Sequence, residues 1–245
     1  MLVTIQTQAQ PLMIAHAGGG INGQDYTNSL EALELSYANG FRFFEIDFSW
    51  TSDNQLVCLH DWGKGFKEIF GFSTKQPLSY HEFQMQLYDA SSFLPCTLDT
   101  LATWVIANPD VKIITDVKFD NIRAIRKIMA KHPKLKQQLI VQFYQPEEYV
   151  VFTQMGFKNL IWILYQYQGS LESVRKHAEK MKLYALSMRA SQAKKRPMQK
   201  AQKKGTKLFV YTLNSKSHAK KMVDKYGVSG IYTDFLPADS EIIQF

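Results

Sequence analysis

No apolar run in this chain approaches the roughly 20 residues that cross a bilayer, which excludes a helical membrane span on hydropathy alone. The first ten residues carry neither a basic n-region nor an apolar h-region, so no secretory signal is expected. Cysteine is scarce: Cys58 and Cys96 are the only two, and they lack the spacing of a metal site. A reduced, cytoplasmic setting fits that usage. The basic tract from Lys194 to Lys207 has no interleaved aromatics, which argues against nucleic acid as a partner.

What remains is an ordinary globular composition. The 245 residues are 45% hydrophobic and 21% charged, enough for one large α/β domain with a sizeable core. A net charge of +7 is concentrated in the Lys194–Lys207 tract. That tract reads either as a solvated helix face or as an attractor for anionic substrates or a lipid surface, so membrane contact is at most peripheral.

The informative residues lie in the first half. His16-Ala17-Gly18-Gly19 is followed by Glu45-Ile46-Asp47, then His60-Asp61, then Asp116-Val117-Lys118. Glu45 and Asp47 are two apart in a strand-like run and therefore share one face. Two carboxylates held together repel and lose hydration, so they need a cation between them. Oxygen-only ligands suit a hard divalent ion, Mg²⁺ or Ca²⁺. Asp116 supplies a third carboxylate, and Lys118, on the same strand face, can meet a phosphate oxygen. His16 and His60 supply a general acid and a general base. Taken singly, His-Ala-Gly reads as a loop and Glu-x-Asp as a solvated strand face; their co-occurrence at strand ends is what points to phosphodiester cleavage.

Along the chain, short apolar strands alternate with amphipathic helices. Strands are expected at 12–15, 43–48, 112–117, 139–143, 160–164, 183–187, 207–212 and 230–233, with a further extended run at 56–60. Asn28, with Glu31 three residues on, reads as an N-cap. Residues 61–95 are rich in Gly and aromatics and read as an irregular excursion over one face of the scaffold. Trp62, Phe66, Phe70 and Phe72 would make either a lid with an apolar edge or a small core beneath a long loop. Eight strands, nearly all followed by helices, predict a single (β/α)8 TIM barrel over 1–245, with the 61–95 insertion over its C-terminal mouth. His16, Glu45, Asp47, Asp116 and Lys118 then all fall at strand C-termini, where such barrels place their sites.

Glu45 to His60-Asp61 is similar, in register over 17 residues, to the Glu-x-Asp…His-Asp signature of the glycerophosphodiester phosphodiesterase family, within the phosphatidylinositol-phospholipase-C-like barrels. Asp116-Val117-Lys118 resembles that family's Glu-x-Lys. Val210–Asn214 and Gly230–Asp234 resemble its C-terminal segments. The resemblance covers nearly the whole chain. It implies a phosphoric diester hydrolase of glycerol and lipid metabolism, releasing glycerol 3-phosphate and an alcohol from a small-molecule phosphodiester. By it, Glu45, Asp47 and Asp116 would hold one divalent cation, His16 and His60 would be the acid–base pair, and Lys118 would contact the phosphate.

Three departures bear on the substrate. Ala17 stands where the family has arginine, Thr27 stands for the glutamate of Pro-Glu-Asn-Thr, and Asp116 replaces the commoner glutamate. An Asp-x-Lys also resembles sphingomyelinase-D-like phospholipases, so a cyclising enzyme acting on a lysolipid, or a barrel that binds a phosphorylated ligand without turnover, are the alternative readings. Arg189 can replace the missing arginine. Tyr211 can stack on a head group, and Gln142, Tyr144, Tyr165 and Asn214 read as pocket lining or barrel filling. His132 and His177 read as surface residues without partners.

Overall fold

The computed structural model describes residues 10–89 and 93–239. Eight parallel strands close into a barrel: β1 (Leu12–Ala15), β2 (Phe43–Trp50), β4 (Lys112–Asp116), β5 (Leu139–Phe143), β6 (Leu160–Ile163), β7 (Ala185–Arg189), β8 (Leu208–Tyr211) and β9 (Val228–Thr233). Closure comes from β1, which pairs with β9 on one side and with β2 on the other. A ninth strand, β3 (Leu56–Cys58), runs antiparallel along the C-terminal end of β2. The predicted (β/α)8 barrel is the observed fold.

The strands are buried on both faces, as parallel barrel strands are, and their period of two sorts the residues. Ile14, Ile114, Ile140, Ile161, Ala185, Phe209 and Tyr232 pack together inside the barrel. Their chain neighbours Met13, Ile113, Val141, Trp162, Leu186, Val210 and Ile231 belong to the outer core, shared with helix residues such as Leu101, Ile125 and Val223. Each fully buried side chain of this kind contributes about 1.5–3 kcal/mol. Continuing the inner series by twos toward each strand's C-terminus gives His16, Asp116, Gln142, Ile163, Ser187 and then Arg189, Tyr211 and Asp234, and on β2 Glu45 and Asp47 follow Phe43, which packs against the same inner cluster. The alternation that fills the barrel therefore also aims the polar residues into its mouth.

Two elements differ from expectation. Barrel strand β7 lies two residues later than 183–187, because its pairing with β8 runs on to Arg189↔Tyr211; Arg189 is thus on the strand. The 61–95 excursion is not irregular: α2 (Lys64–Phe70) and α3 (Tyr80–Asp89) form within it, while residues 90–92 lie outside the described residues. Phe66 and Phe83 are fully buried there with Val57 and Leu59, and Trp62 and Phe70 pack against them. That is the small-core alternative; Phe72 is left 43% exposed.

Cys58 and Cys96 form a disulfide, with Cα atoms 5.0 Å apart, in contrast to the reduced setting that cysteine usage suggested. They are distant in sequence, but the segment returning from the excursion lies beside β3, and the Cys58 N–H donates to the Cys96 carbonyl at 2.8 Å. Closing a loop with a sequence separation of 38 contributes about 4 kcal/mol in the chain-entropy account. Away from the mouth, His132 also has a partner, Asp99 at 2.8 Å, and His177 bonds the Ser173 carbonyl.

Candidate active site

His16 follows β1 at the start of a tight turn, His16–Gly18. Gly18 and Gly19 hold φ of +86° and +99°, and a Cβ on Gly19 would meet Ser36 Oγ at 2.2 Å. This turn presses its backbone against the site: the buried Ala17 N–H donates to Glu45 Oε2 at 2.9 Å. His16 Nδ1–H donates to Asp234 Oδ1 at 2.8 Å, leaving Nε2 3.9 Å from Glu45. Burial opposes charge on His16, but Asp234, Glu45 and Asp47 outweigh it and lift its pKa to about 9.

His60 is held in the same manner. Its Nδ1–H donates to Asp61 Oδ2 at 2.6 Å, and Asp61 in turn accepts the Gly63 N–H at 2.7 Å and the Gly65 N–H at 3.2 Å. Despite burial, these bonds hold the Asp61 carboxyl below its usual range. Each imidazole is thus oriented by its own carboxylate.

Glu45 and Asp47, within β2, and Asp116, the last residue of β4, are buried, with Asp47 opposite Asp116 in the ladder. One oxygen from each lies within 4.8 Å of the others. Burial and the neighbouring Asp47 push the Glu45 pKa up. Asp47 is held low despite its burial, chiefly by Lys118. Three hard oxygen donors, one of them resisting ionisation, are what a divalent cation would relieve. These residues therefore fit the cation that the sequence implies.

Neighbours fix the three acids. Asn28, at φ +49°, donates from Nδ2 to Asp47 Oδ2 at 3.0 Å and accepts the Asp47 N–H at 3.0 Å. The N-cap of α1 (Leu30–Ala38) is accordingly Ser29, not Asn28. Thr27, in place of a family glutamate, is buried and bonded to Ser29. Tyr144 and Tyr165 both donate to Asp116 Oδ1, Tyr165 at 2.7 Å. Lys118 Nζ lies 2.5 Å from Asp47 Oδ1 and 3.3 Å from Asp116 Oδ2. An ammonium has three donors, so one remains for a further acceptor.

All eight residues singled out from the sequence line one cavity of about 210 Å³: His16, Glu45, Asp47, His60, Asp116, Lys118, Arg189 and Tyr211. Gln142 and Tyr165 line it too, as does Tyr26, which the sequence reading did not mark. Asp234 and Asn28 were missed as site residues as well. The only signal for Asp234 was its place in the C-terminal family-like segment. Asn214, which lies beyond β8, accepts the Asp234 N–H at 2.8 Å and donates to Asp234 Oδ2 at 2.7 Å, fixing the carboxylate that fixes His16.

Comparison with known proteins agrees with this geometry. A glycerophosphodiester phosphodiesterase from Thermotoga maritima superposes with a TM-score of 0.71 at 20% identity, covering 92% of this chain and 95% of that one. One from Parabacteroides distasonis gives 0.70 at 20% identity, covering 92% and 94%. An Oleispira antarctica phosphodiesterase, solved with the product sn-glycerol-3-phosphate, gives 0.69 at 18% identity, covering 94% of each chain. At these identities the structures establish the shared fold. The sequence profile of the glycerophosphoryl diester phosphodiesterase family matches residues 16–238, from the first site histidine to just beyond Asp234. The chain therefore belongs to the glycerophosphoryl diester phosphodiesterase family, a family of phosphoric diester hydrolases.

Proposed function

We propose that this protein hydrolyses glycerophosphodiesters to glycerol 3-phosphate and an alcohol, with His16 and His60 as its acid–base pair. The observation that carries the reading is two imidazoles, each oriented by a carboxylate, in one cavity with a buried three-carboxylate cluster. Glu45, Asp47 and Asp116 would hold one divalent cation, Mg²⁺ or Ca²⁺, which when bound offsets charge on a non-bridging phosphate oxygen. Lys118 brings its third donor to the phosphate. One histidine takes the proton from the nucleophile and the other protonates the departing alkoxide, so the rate is bell-shaped in pH. The field of Asp234 and Glu45 favours the charged form of His16 and suits it to the acid role. Asp234 and Asp61 accept from Nδ1 of their rings and so leave Nε2 free for transfer.

A small polar diester suits the cavity. At about 210 Å³ it is below the roughly 300–1,000 Å³ of sites that enclose drug-sized ligands, so the acyl chain of a lysolipid would extend outside it. The disulfide weighs against the cytoplasmic setting expected from the sequence, because disulfides persist in oxidising compartments. Among the described residues, no helix is long and apolar enough to cross a membrane.

The test is release of glycerol 3-phosphate from glycerophosphocholine and glycerophosphoethanolamine with Mg²⁺, with Ca²⁺ and with EDTA. Release that depends on a divalent ion and stops with EDTA is the expected result. No release with either ion overturns the substrate assignment; a cyclic phosphate from a lysolipid would replace it with the cyclising reaction.

A further inference from the structure

One phenol ring stands between the two histidines. The Tyr26 ring centroid is 4.6 Å from that of His16 and 4.8 Å from that of His60, edge-on to each at 81°. No other aromatic ring among the described residues bridges the pair. Tyr26 holds φ at +55°, a left-handed conformation that disfavours any side chain larger than glycine unless a short polar group bonds locally. Tyrosine has no such local bond to offer. Strain of this kind persists where the surroundings enforce it, and it clusters at functional sites. Here the enforcing element is Asn28, whose side chain clamps Asp47 and whose Nδ2 also reaches the Tyr26 carbonyl at 3.4 Å. The loop turn that secures one carboxylate thus carries the phenol between the imidazoles.

The hydroxyl is uncommitted. Among the described residues Tyr26 makes no side-chain hydrogen bond; only its carbonyl is engaged. Burial, then Asp47, Asp234 and Glu45, push its pKa up to about 12, so it remains a neutral O–H donor surrounded by carboxylate charge. The turn beside it presents Ala17, fully buried and without a polar group, so no guanidinium serves the phosphate from there.

We propose that Tyr26 is a catalytic residue whose hydroxyl donates to a non-bridging oxygen of a phosphate held in the cavity that Tyr26, His16 and His60 line together, making the contact that Ala17 cannot make. The proposal rests on the phosphodiesterase reading above. A neutral donor also avoids adding positive charge beside two imidazoles, one of which must stay charged while the other stays neutral.

Tyr26→Phe tests it, because the ring and its edge contacts survive and only the hydroxyl is lost. The expected result is a kcat at least about tenfold lower, toward the 10²–10³-fold of a lost transition-state donor. The thermal midpoint and the two limbs of the pH–rate profile stay where they were, and affinity for glycerol 3-phosphate in a calorimetric titration falls. Wild-type kcat and wild-type glycerol 3-phosphate affinity in Tyr26→Phe overturn the proposal and leave the ring as a spacer. If the wild-type protein hydrolyses no glycerophosphodiester but binds glycerol 3-phosphate more tightly than Tyr26→Phe does, the hydrolysis reading falls and the phosphate contact stands. If neither protein binds it, both fall.

Discussion

The two walls of the barrel mouth are products of the same strand alternation, yet they differ in how completely their polar groups are engaged. On the β1–β2–β4 wall every carboxylate has partners: Glu45 the Ala17 N–H, Asp47 both Asn28 and Lys118, Asp116 two tyrosines and Lys118. On the β5–β9 wall, Gln142 Nε2 and the Tyr211 hydroxyl are buried with no hydrogen-bond partner among the described residues. Arg189, exposed at the rim of that wall, makes no ion pair among the described residues. Buried polar atoms are nearly always bonded, and an unbonded one costs about 1–3 kcal/mol. The first wall is organised before substrate arrives, which is what electrostatic catalysis requires. Both walls carry charge of both signs: Glu45, Asp47, Asp116 and Lys118 stand on the first, Asp234 and Arg189 on the second, and there Asp234 is as fully bonded as the acids opposite it.

Removing a histidine from the first wall gives the largest effect. His16→Ala and His60→Ala should each reduce turnover at least about 10²-fold, the usual worth of an acid or base. Near-normal turnover of either would remove that residue from the pair and blur the distinction between the walls.

A smaller effect is expected in stability, and it has a definite sign. In the protein stripped of divalent ions, the His16 pKa is raised from 6.5 to about 9. Its contribution is therefore fully present below pH 6.5 and is lost as pH rises through about 9. Glu45, pushed up by burial and Asp47, adds a cost of the same sign as it ionises. Asp47, held low, is already ionised over this window and adds no slope. The thermal midpoint should fall between pH 6.5 and 9 by on the order of 5 °C, and by less with Mg²⁺ or Ca²⁺ present. A flat or rising midpoint would mean that the first wall is not electrostatically loaded.

The smallest effect belongs to the second wall. Arg189→Ala should raise KM about threefold to tenfold, the roughly 1 kcal/mol of a solvent-facing charge contact, with kcat within about twofold. A loss confined to kcat would instead move Arg189 into the catalytic machinery.

How much was legible in advance follows from the range of the interactions. Glu45 and Asp47 share a face because of a period-two rule that needs no partner strand, so their pairing was readable from adjacent letters. The clamp on Asp47 was not, because Asn28 looked like a helix cap and only the observed turn gives that role to Ser29. Asp234 is 218 residues from the ring it orients; they meet because β1 pairs with β9, bringing Ala15 opposite Thr233. Tyr26 gave no pattern at all, since its position depends on a left-handed backbone. The disulfide was hidden because the return of the excursion beside β3 is not encoded in cysteine spacing.

By itself, the sequence determined the barrel, its alternating inner and outer faces and the chemical types gathered at the strand ends, because these follow from local periodicity and composition. Only the tertiary structure decided which carboxylate orients which imidazole, which hydroxyls hold Asp116 and which ring separates the histidines. Those depend on closure, the event that brings the first strand against the last and turns distant residues into neighbours.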